Sequence, residues 1–276
     1  MKIRYLGTGA AEGVPAFFCH CEVCRYAREH GSREIRTRAQ ALLDDTILLD
    51  IGPDTYLHIL AHRLDLTEME HCLVTHVHED HFYAPNLYYR QVGFANIKEG
   101  TRPLIVYGSR DVQEALQLQG DGMVTPDGSV LFQGLHPYEP VEIAGYRVTA
   151  LPAYHATENP FIFWIEKDGK HLLYAHDTDI FYGEVWEYLE REKVQFDLVS
   201  MDCTESLKDF DYHGHMNLKR NLAVKERMLK SGLAFADTLF VASHFSHNGQ
   251  ATYKEICKVA DGYGIMVAHD GMEVEF

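Results

Sequence analysis

Seven residues constrain this chain more than any others. They are Thr75-His76-Val77-His78-Glu79-Asp80-His81, directly behind the apolar run Cys72-Leu73-Val74. A short apolar run giving way to polar residues reads as a buried strand that emerges onto a loop. Three histidines and one aspartate therefore stand together at a strand end. Side chains alternate along an extended segment, so His76 and His78 point to the same side. If the chain then turns into a helix, Asp80 and His81 face the same cavity. One metal ion could take the first pair of ligands and a second ion the next pair.

Composition narrows the field further. The 276 residues include 17 histidines, more than solubility requires. Hydrophobic residues make up 46% and charged residues 24%, the balance of a soluble globular protein with a full core. No apolar run approaches the roughly 18 residues needed to span a bilayer. The N-terminal Met1-Lys2-Ile3-Arg4-Tyr5-Leu6-Gly7 lacks the apolar stretch of a secretory signal. With 41 acidic residues against 25 basic ones, the formal charge is −16. Such a chain repels polyphosphate backbones, which disfavours nucleic acid as a partner. Three of the six cysteines fall in Cys19-His20-Cys21-Glu22-Val23-Cys24. A metal site clusters its cysteines and a disulfide framework spreads them. A reducing, cytoplasmic setting is expected.

Short apolar runs predict strands over 3–6, 39–43, 47–50, 71–75, 104–107, 146–151, 161–166, 171–175, 198–201, 238–242 and 265–268. Helical patterns predict helices over 55–63, 85–91, 112–119, 184–193, 218–230 and 252–260, with Asn217 as a cap. Strands cluster in each half, with helices between and after them. This fits a central two-sheet layer with helices outside better than an alternating doubly wound sheet. Residues 1–276 read as a single domain.

The motif T-H-x-H-x-D-H resembles the hallmark of the metallo-β-lactamase superfamily, and the resemblance extends over nearly the whole chain. It implies an α/β fold, the four-layer αββα sandwich. Asp50, in Leu48-Leu49-Asp50-Ile51-Gly52, resembles a carboxylate that orients ligand histidines from behind. His155, in Pro152-Ala153-Tyr154-His155, resembles the third histidine of a first metal, after His76 and His78. Asp177, in Tyr174-Ala175-His176-Asp177-Thr178, resembles the carboxylate that bridges both metals, although His176 and Asp179 stand beside it. His244, in Val241-Ala242-Ser243-His244, resembles the last ligand of the second metal, with Asp80 and His81. One departure concerns the glycine often found three residues after the last motif histidine. That position is Ala84, followed by Pro85, so a different turn is expected along the pocket wall at 82–89.

Cys19, Cys21 and Cys24 offer three thiolates, and a structural zinc wants four ligands. His20 is too tightly spaced to serve without strain. His247, three residues after His244, is the better fourth ligand. The arrangement resembles one subgroup of the superfamily, the phosphoribosyl 1,2-cyclic phosphate phosphodiesterases of the PhnP type. That resemblance implies a structural zinc on Cys19, Cys21, Cys24 and His247. Beside it would lie two divalent ions, manganese or zinc with iron a further option, since imidazole and carboxylate suit all three. The implied reaction is hydrolysis of a small cyclic phosphate diester such as 5-phosphoribosyl 1,2-cyclic phosphate, by attack of a metal-bridging hydroxide. Asp80 would double as ligand and proton acceptor. A histidine general acid is expected in Tyr212-His213-Gly214-His215-Met216-Asn217, where His215 is the match and His213 the rival. Arg90 is a candidate phosphate contact, and Tyr83, Tyr88 and Tyr89 a candidate pocket wall. His30, His58, His62, His71, His136, His171 and His269 lack ligand spacing and are read as structural. Cys72, Cys203 and Cys257 read as plain buried residues.

Three other readings compete. The tRNA 3′-processing endonucleases of the superfamily also open on a turn like Gly7-Thr8-Gly9, but they carry a basic, glycine-rich arm that this sequence lacks. Thioester hydrolases of the glyoxalase II kind share the dinuclear ligands and not the cysteine site. A non-catalytic accessory protein of pyrroloquinoline quinone biosynthesis shares the cysteine zinc. The expected partner is a small phosphate-diester substrate, with no membrane. A homodimer is the commonest soluble assembly, and nothing in the sequence marks its interface.

Overall fold

The computed structural model describes residues 1–210 and 213–276. Asp211 and Tyr212, at the start of the expected general-acid loop, lie outside the described residues. In chain order the elements are β1 (Lys2–Gly7), α1 (Glu22–His30), β2 (Gln40–Leu43), β3 (Ile47–Leu49), α2 (Thr55–His62), β4 (His71–Leu73), α3 (Pro85–Tyr88), β5 (Leu104–Gly108), α4 (Arg110–Ala115), β6 (Val130–Gly134), β7 (Pro140–Ile143), β8 (Tyr146–Pro152), β9 (Phe161–Lys167), β10 (Lys170–Ala175), α5 (Gly183–Glu192), β11 (Phe196–Asp202), α6 (Leu218–Ser231), β12 (Ala234–Ser243), α7 (Tyr253–Tyr263), β13 (Met266–Val267) and β14 (Met272–Glu275).

The strands form two seven-stranded sheets, in the orders β14-β1-β2-β3-β4-β5-β6 and β13-β12-β11-β10-β9-β8-β7. Strand residues point alternately to opposite faces, and here both faces are apolar, so both must be covered. Between the sheets, Ile3, Tyr5, Leu49 and Leu73 of one pack with Phe163, Leu172, Tyr174 and Val241 of the other. The opposite faces are covered by helices. Val185, Trp186 and Leu189 of α5, Val224 and Met228 of α6, and Ile256 of α7 cover the second sheet. Leu87 of α3 and Val112 of α4 pack with Cys72, Val74 and Val106 of the first. This is the αββα sandwich.

Within each sheet one half is parallel. β3, β4, β5 and β6 run together in the first sheet, and β10, β11, β12 and β13 in the second. Parallel pairing brings the ends of β3, β4, β10, β11 and β12 to common rims. Asp50, His76, Asp177, Asp202 and His244 sit at those ends.

Several elements differ from expectation. β6, β7 and β14 were not anticipated, and neither was α1. Of β7 only Ile143 is buried, so this edge strand carries no apolar run to read. α1 is strongly polar, burying Val23, Cys24 and Ala27. The thiol of Cys21 accepts from Cys24 N and caps it, a role sequence patterns assign to Ser, Thr, Asp or Asn. The helix expected over 112–119 spans Arg110–Ala115, and that over 85–91 stops at Tyr88. Asn217 caps α6 as expected, accepting from Arg220 N at 2.8 Å.

Candidate metal centre

Two groups of side chains converge between the rims. His76, His78 and His155 form the first, and Asp80, His81 and His244 the second. The ring of His78 turns its Nδ1 to within 3.1 Å of His155 Nε2. His81 Nε2 and His244 Nε2 are likewise 3.1 Å apart. Asp177 stands between the groups. Its Oδ2 lies 2.7 Å from His81 Nε2 and 2.9 Å from His244 Nε2, and its Oδ1 lies 3.6 Å from His155 Nε2.

The groups behind the ligands are equally ordered. Asp50 is fully buried and accepts from Thr75 N at 2.7 Å, from the Thr75 hydroxyl, and from His81 Nδ1 at 2.7 Å. Gly52 lets this segment lie against the motif, because a Cβ there would sit 2.0 Å from the carbonyl oxygen of Asp80. Thr75 Oγ1 contacts His76 Nδ1, and the carbonyl of Gly214 lies 3.1 Å from His155 Nδ1. Thr204 Oγ1 lies 2.7 Å from His244 Nδ1. Each of these partners fixes a ring and leaves its other nitrogen facing the cavity.

The electrostatics suit cations. Burial, reinforced by His81, pushes His76 well below the usual imidazole range, so it is neutral and its lone pair is available. Its Nε2 is buried without a hydrogen-bond partner. Burial opposes charge on His81 too, but Asp177, Asp80 and Asp50 outweigh it and raise its proton affinity. The same negative charges that draw a proton there would draw a metal ion. An orphaned imidazole nitrogen and closely opposed nitrogen lone pairs, with a carboxylate between the groups, are the donor set of a two-ion site.

His215 joins this cavity from the other side. Its Nδ1 lies 3.0 Å from Asp202 Oδ2 and 3.7 Å from Asp177 Oδ1. Burial disfavours charge on it, yet Asp202 prevails and its pKa is raised. His213 instead bonds Asp179 at 3.0 Å and is largely exposed. The other neighbours of Asp177 are engaged elsewhere. Asp179 takes His213 and Arg220, and His176 Nε2 meets Ser200 Oγ at 2.8 Å. Asp202 was missed in the sequence. Its signal was present, because Leu198-Val199-Ser200-Met201-Asp202 repeats the pattern of an apolar strand ending in aspartate seen at Asp50.

Arg90 does not join the cavity. Its guanidinium reaches the carbonyls of Thr67 and Arg102, at the end of a groove lined by Leu48, Ile59, Leu64 and Tyr89. The expectation that it contacts phosphate is therefore corrected. Arg220 is a cation near the site, with Nη1 donating to the carbonyl of His215 at 2.8 Å.

A separate group unites Cys19, Cys21, Cys24 and His247. Cys19 Sγ and Cys21 Sγ lie 3.5 and 3.6 Å from His247 Nδ1. Tetrahedral zinc, with Zn–S about 2.3 Å and Zn–N about 2.0–2.1 Å, puts sulfur and nitrogen about 3.6 Å apart. The residues fit the ion. Backbone N–H groups of Cys21, Cys24 and Ala16 point at the three sulfurs, the pattern that stabilises thiolates. His20 is not in this group. The turn that carries His247 follows His244 directly, and Phe245 between them pairs with Thr8 and Ala10.

A protein-family model described as "Beta-lactamase superfamily domain" matches residues 45–245. The chain belongs to this superfamily. It has the metallo-β-lactamase fold. A member solved as "a New Diphosphatase from the PhnP Family" superposes with a TM-score of 0.76 and 21% identity, covering 100% of this chain and 97% of its own. Zinc-bound PqqB from Methylobacterium extorquens gives a TM-score of 0.70 at 20% identity, with 100% of both chains covered. Among curated proteins, ribonuclease Z of Geobacillus kaustophilus is 30% identical over 121 residues, 42% of this chain and 33% of its own. The match covers a third or less of the length of the curated relatives that head the comparison. No described helix is long and apolar enough to cross a membrane.

Proposed function

We propose that this superfamily member is a phosphoric diester hydrolase acting on a small cyclic phosphate diester. The observation that carries the reading is Asp177, whose two oxygens face histidines of both groups while His215 approaches the same carboxylate. His76, His78 and His155 would hold one divalent ion, Asp80, His81 and His244 a second, and Asp177 both. Two such ions, zinc or manganese with iron a further option, would supply a nucleophile at neutral pH and neutralise phosphate oxygens.

The chain's own residues would do the rest. A leaving alkoxide needs a proton, and His215 is poised to hold one because Asp202 favours its charged form. Asp202 also fixes the ring, accepting from Met216 N at 2.8 Å and so tying the loop to β11. Asp80 is the candidate proton acceptor beside its ligand role. The cysteine site would hold a structural zinc that anchors the 19–24 loop to the turn bearing His244. Likeness to the PhnP-family diphosphatase supports small phosphate compounds. The ribonuclease Z match favours RNA, but a net charge of −16 argues against a polyanionic substrate.

The test is metal content by mass spectrometry on wild type and His78→Ala, paired with turnover of bis(p-nitrophenyl) phosphate and of 5-phosphoribosyl 1,2-cyclic phosphate. About three ions per chain, falling together with activity in the variant, are expected. One ion per chain and no turnover after zinc or manganese is supplied would overturn the reading.

A further inference from the structure

Beside the metal centre three rings lie nearly parallel. Tyr154 stacks on Tyr182 at a centroid distance of 4.8 Å and 15°, and on His213 at 6.1 Å and 17°. Each is anchored separately. Tyr154 N donates to Thr178 Oγ1 at 2.9 Å, and its carbonyl accepts from Asp179 N at 3.0 Å. Tyr182 is the residue on which α5 begins. His213 is held by Asp179, a buried carboxylate that Arg220 also engages.

These rings are only partly buried. Tyr154 is 37% and Tyr182 38% exposed, and the His213 side chain is 65% exposed. Aromatic surface left in water forgoes the burial that stabilises other rings of this protein, such as Trp186 and Tyr174. The stack also adjoins the chemistry. Tyr154 precedes His155, and His213 precedes Gly214, whose carbonyl meets the His155 ring. The two residues thus flank the strand-end histidine and the loop that carries His215. His213 uses its ring edge for the bond to Asp179 and turns one face toward Tyr154, so the ring stays in line with the stack.

We infer that Tyr154, Tyr182 and His213 form a stacking platform for a planar heteroaromatic ring, so that the preferred diester carries a nucleoside-like group. This rests on the phosphodiesterase reading and narrows it, since a bare phosphoribosyl compound has no ring to stack. Stacking on aromatic faces tolerates different bases, because every base presents a π-face. The platform selects for the presence of a ring more than for its identity.

Binding tests this without turnover. Calorimetry on the zinc-loaded protein compares adenosine 5′-monophosphate with ribose 5-phosphate, which share the sugar and phosphate and differ in the base. The nucleotide is expected to bind about tenfold tighter, within the range of one base–aromatic contact. His213→Ala is expected to bring the affinity ratio close to one. His213→Phe, which keeps a ring and removes the charge and proton, is expected to preserve it. Tyr154→Leu should lower the ratio as His213→Ala does. A ratio near one in wild type overturns the inference, as does a ratio unmoved by His213→Ala or lost equally in His213→Phe. If the ratio behaves as expected while neither the nucleoside 2′,3′-cyclic phosphate nor the ribosyl cyclic phosphate is hydrolysed, the platform stands and the phosphodiesterase reading fails.

Discussion

His81 Nδ1 lies 2.7 Å from Asp50 Oδ2, with both side chains wholly out of water. The pair links the end of β3 to the loop after β4 and turns the far nitrogen of His81 toward Asp177. Asp50→Asn keeps the size and the contact to Thr75 while removing the charge. Metal affinity at the proposed two-ion centre is expected to fall about 10- to 100-fold. Chelator competition measures it, and circular dichroism should show the fold retained.

Gly52 permits the close approach of that segment to the motif. In Gly52→Ala the new Cβ would stand 2.0 Å from the Asp80 carbonyl oxygen, so backbone must move. A loss of about 1–3 kcal/mol is expected, with fewer ions retained per chain. Gly183→Ala is the control, because a Cβ there meets nothing within 4 Å. Urea unfolding of the two variants makes the comparison.

His215→Gln tests proton delivery. For a diester with an alkoxide leaving group, kcat is expected to drop by about 10²–10⁴. For bis(p-nitrophenyl) phosphate, whose leaving group departs without a proton, the drop should be much smaller. Equal losses on both substrates would assign His215 a binding or structural role.

His58 gives a pH signature away from the metal centre. It lies between Gln40 Oε1 and Thr37 Oγ1, and burial pulls its pKa down to about 4 against a weaker opposing pull from Asp54. In the unfolded chain it titrates near 6.5. Between these values the unfolded state binds more protons, so stability is full above about 6.5 and is lost as pH falls toward 4. From pH 7 to pH 5 the wild type should lose on the order of 2 kcal/mol more than His58→Gln. Denaturant titrations at the two pH values read the difference directly.

Much of the site was legible because strand ends are conspicuous. His76, His78, Asp80 and His81 follow an unmistakable apolar run, and Asp177 and His244 repeat that context. Asp202 escaped notice because no second ligand stands beside it in sequence. Its partners, His215 and His244, are brought to it by the loop after β11 and by β12. Arg90, a candidate phosphate contact from sequence, points elsewhere for a related reason. The helix that begins at Pro85 closes after Tyr88, and Arg90, just beyond it, bonds the carbonyl of Arg102. The edge strands β7 and β14 bury little, so hydrophobic pattern says nothing about them. Pairing with a neighbour, a property no short sequence window contains, creates them.

The strand-end ligands come from both sheets, and in each group the mixture is complete. His76 and His78 leave the first sheet to meet His155 of the second, while Asp80 and His81 meet His244. An ion in either position is a rivet through the sandwich. Ion supply and durability of the protein then become a single variable. A cell short of the right metal would hold a chain that is slower to act and also easier to pull apart and degrade.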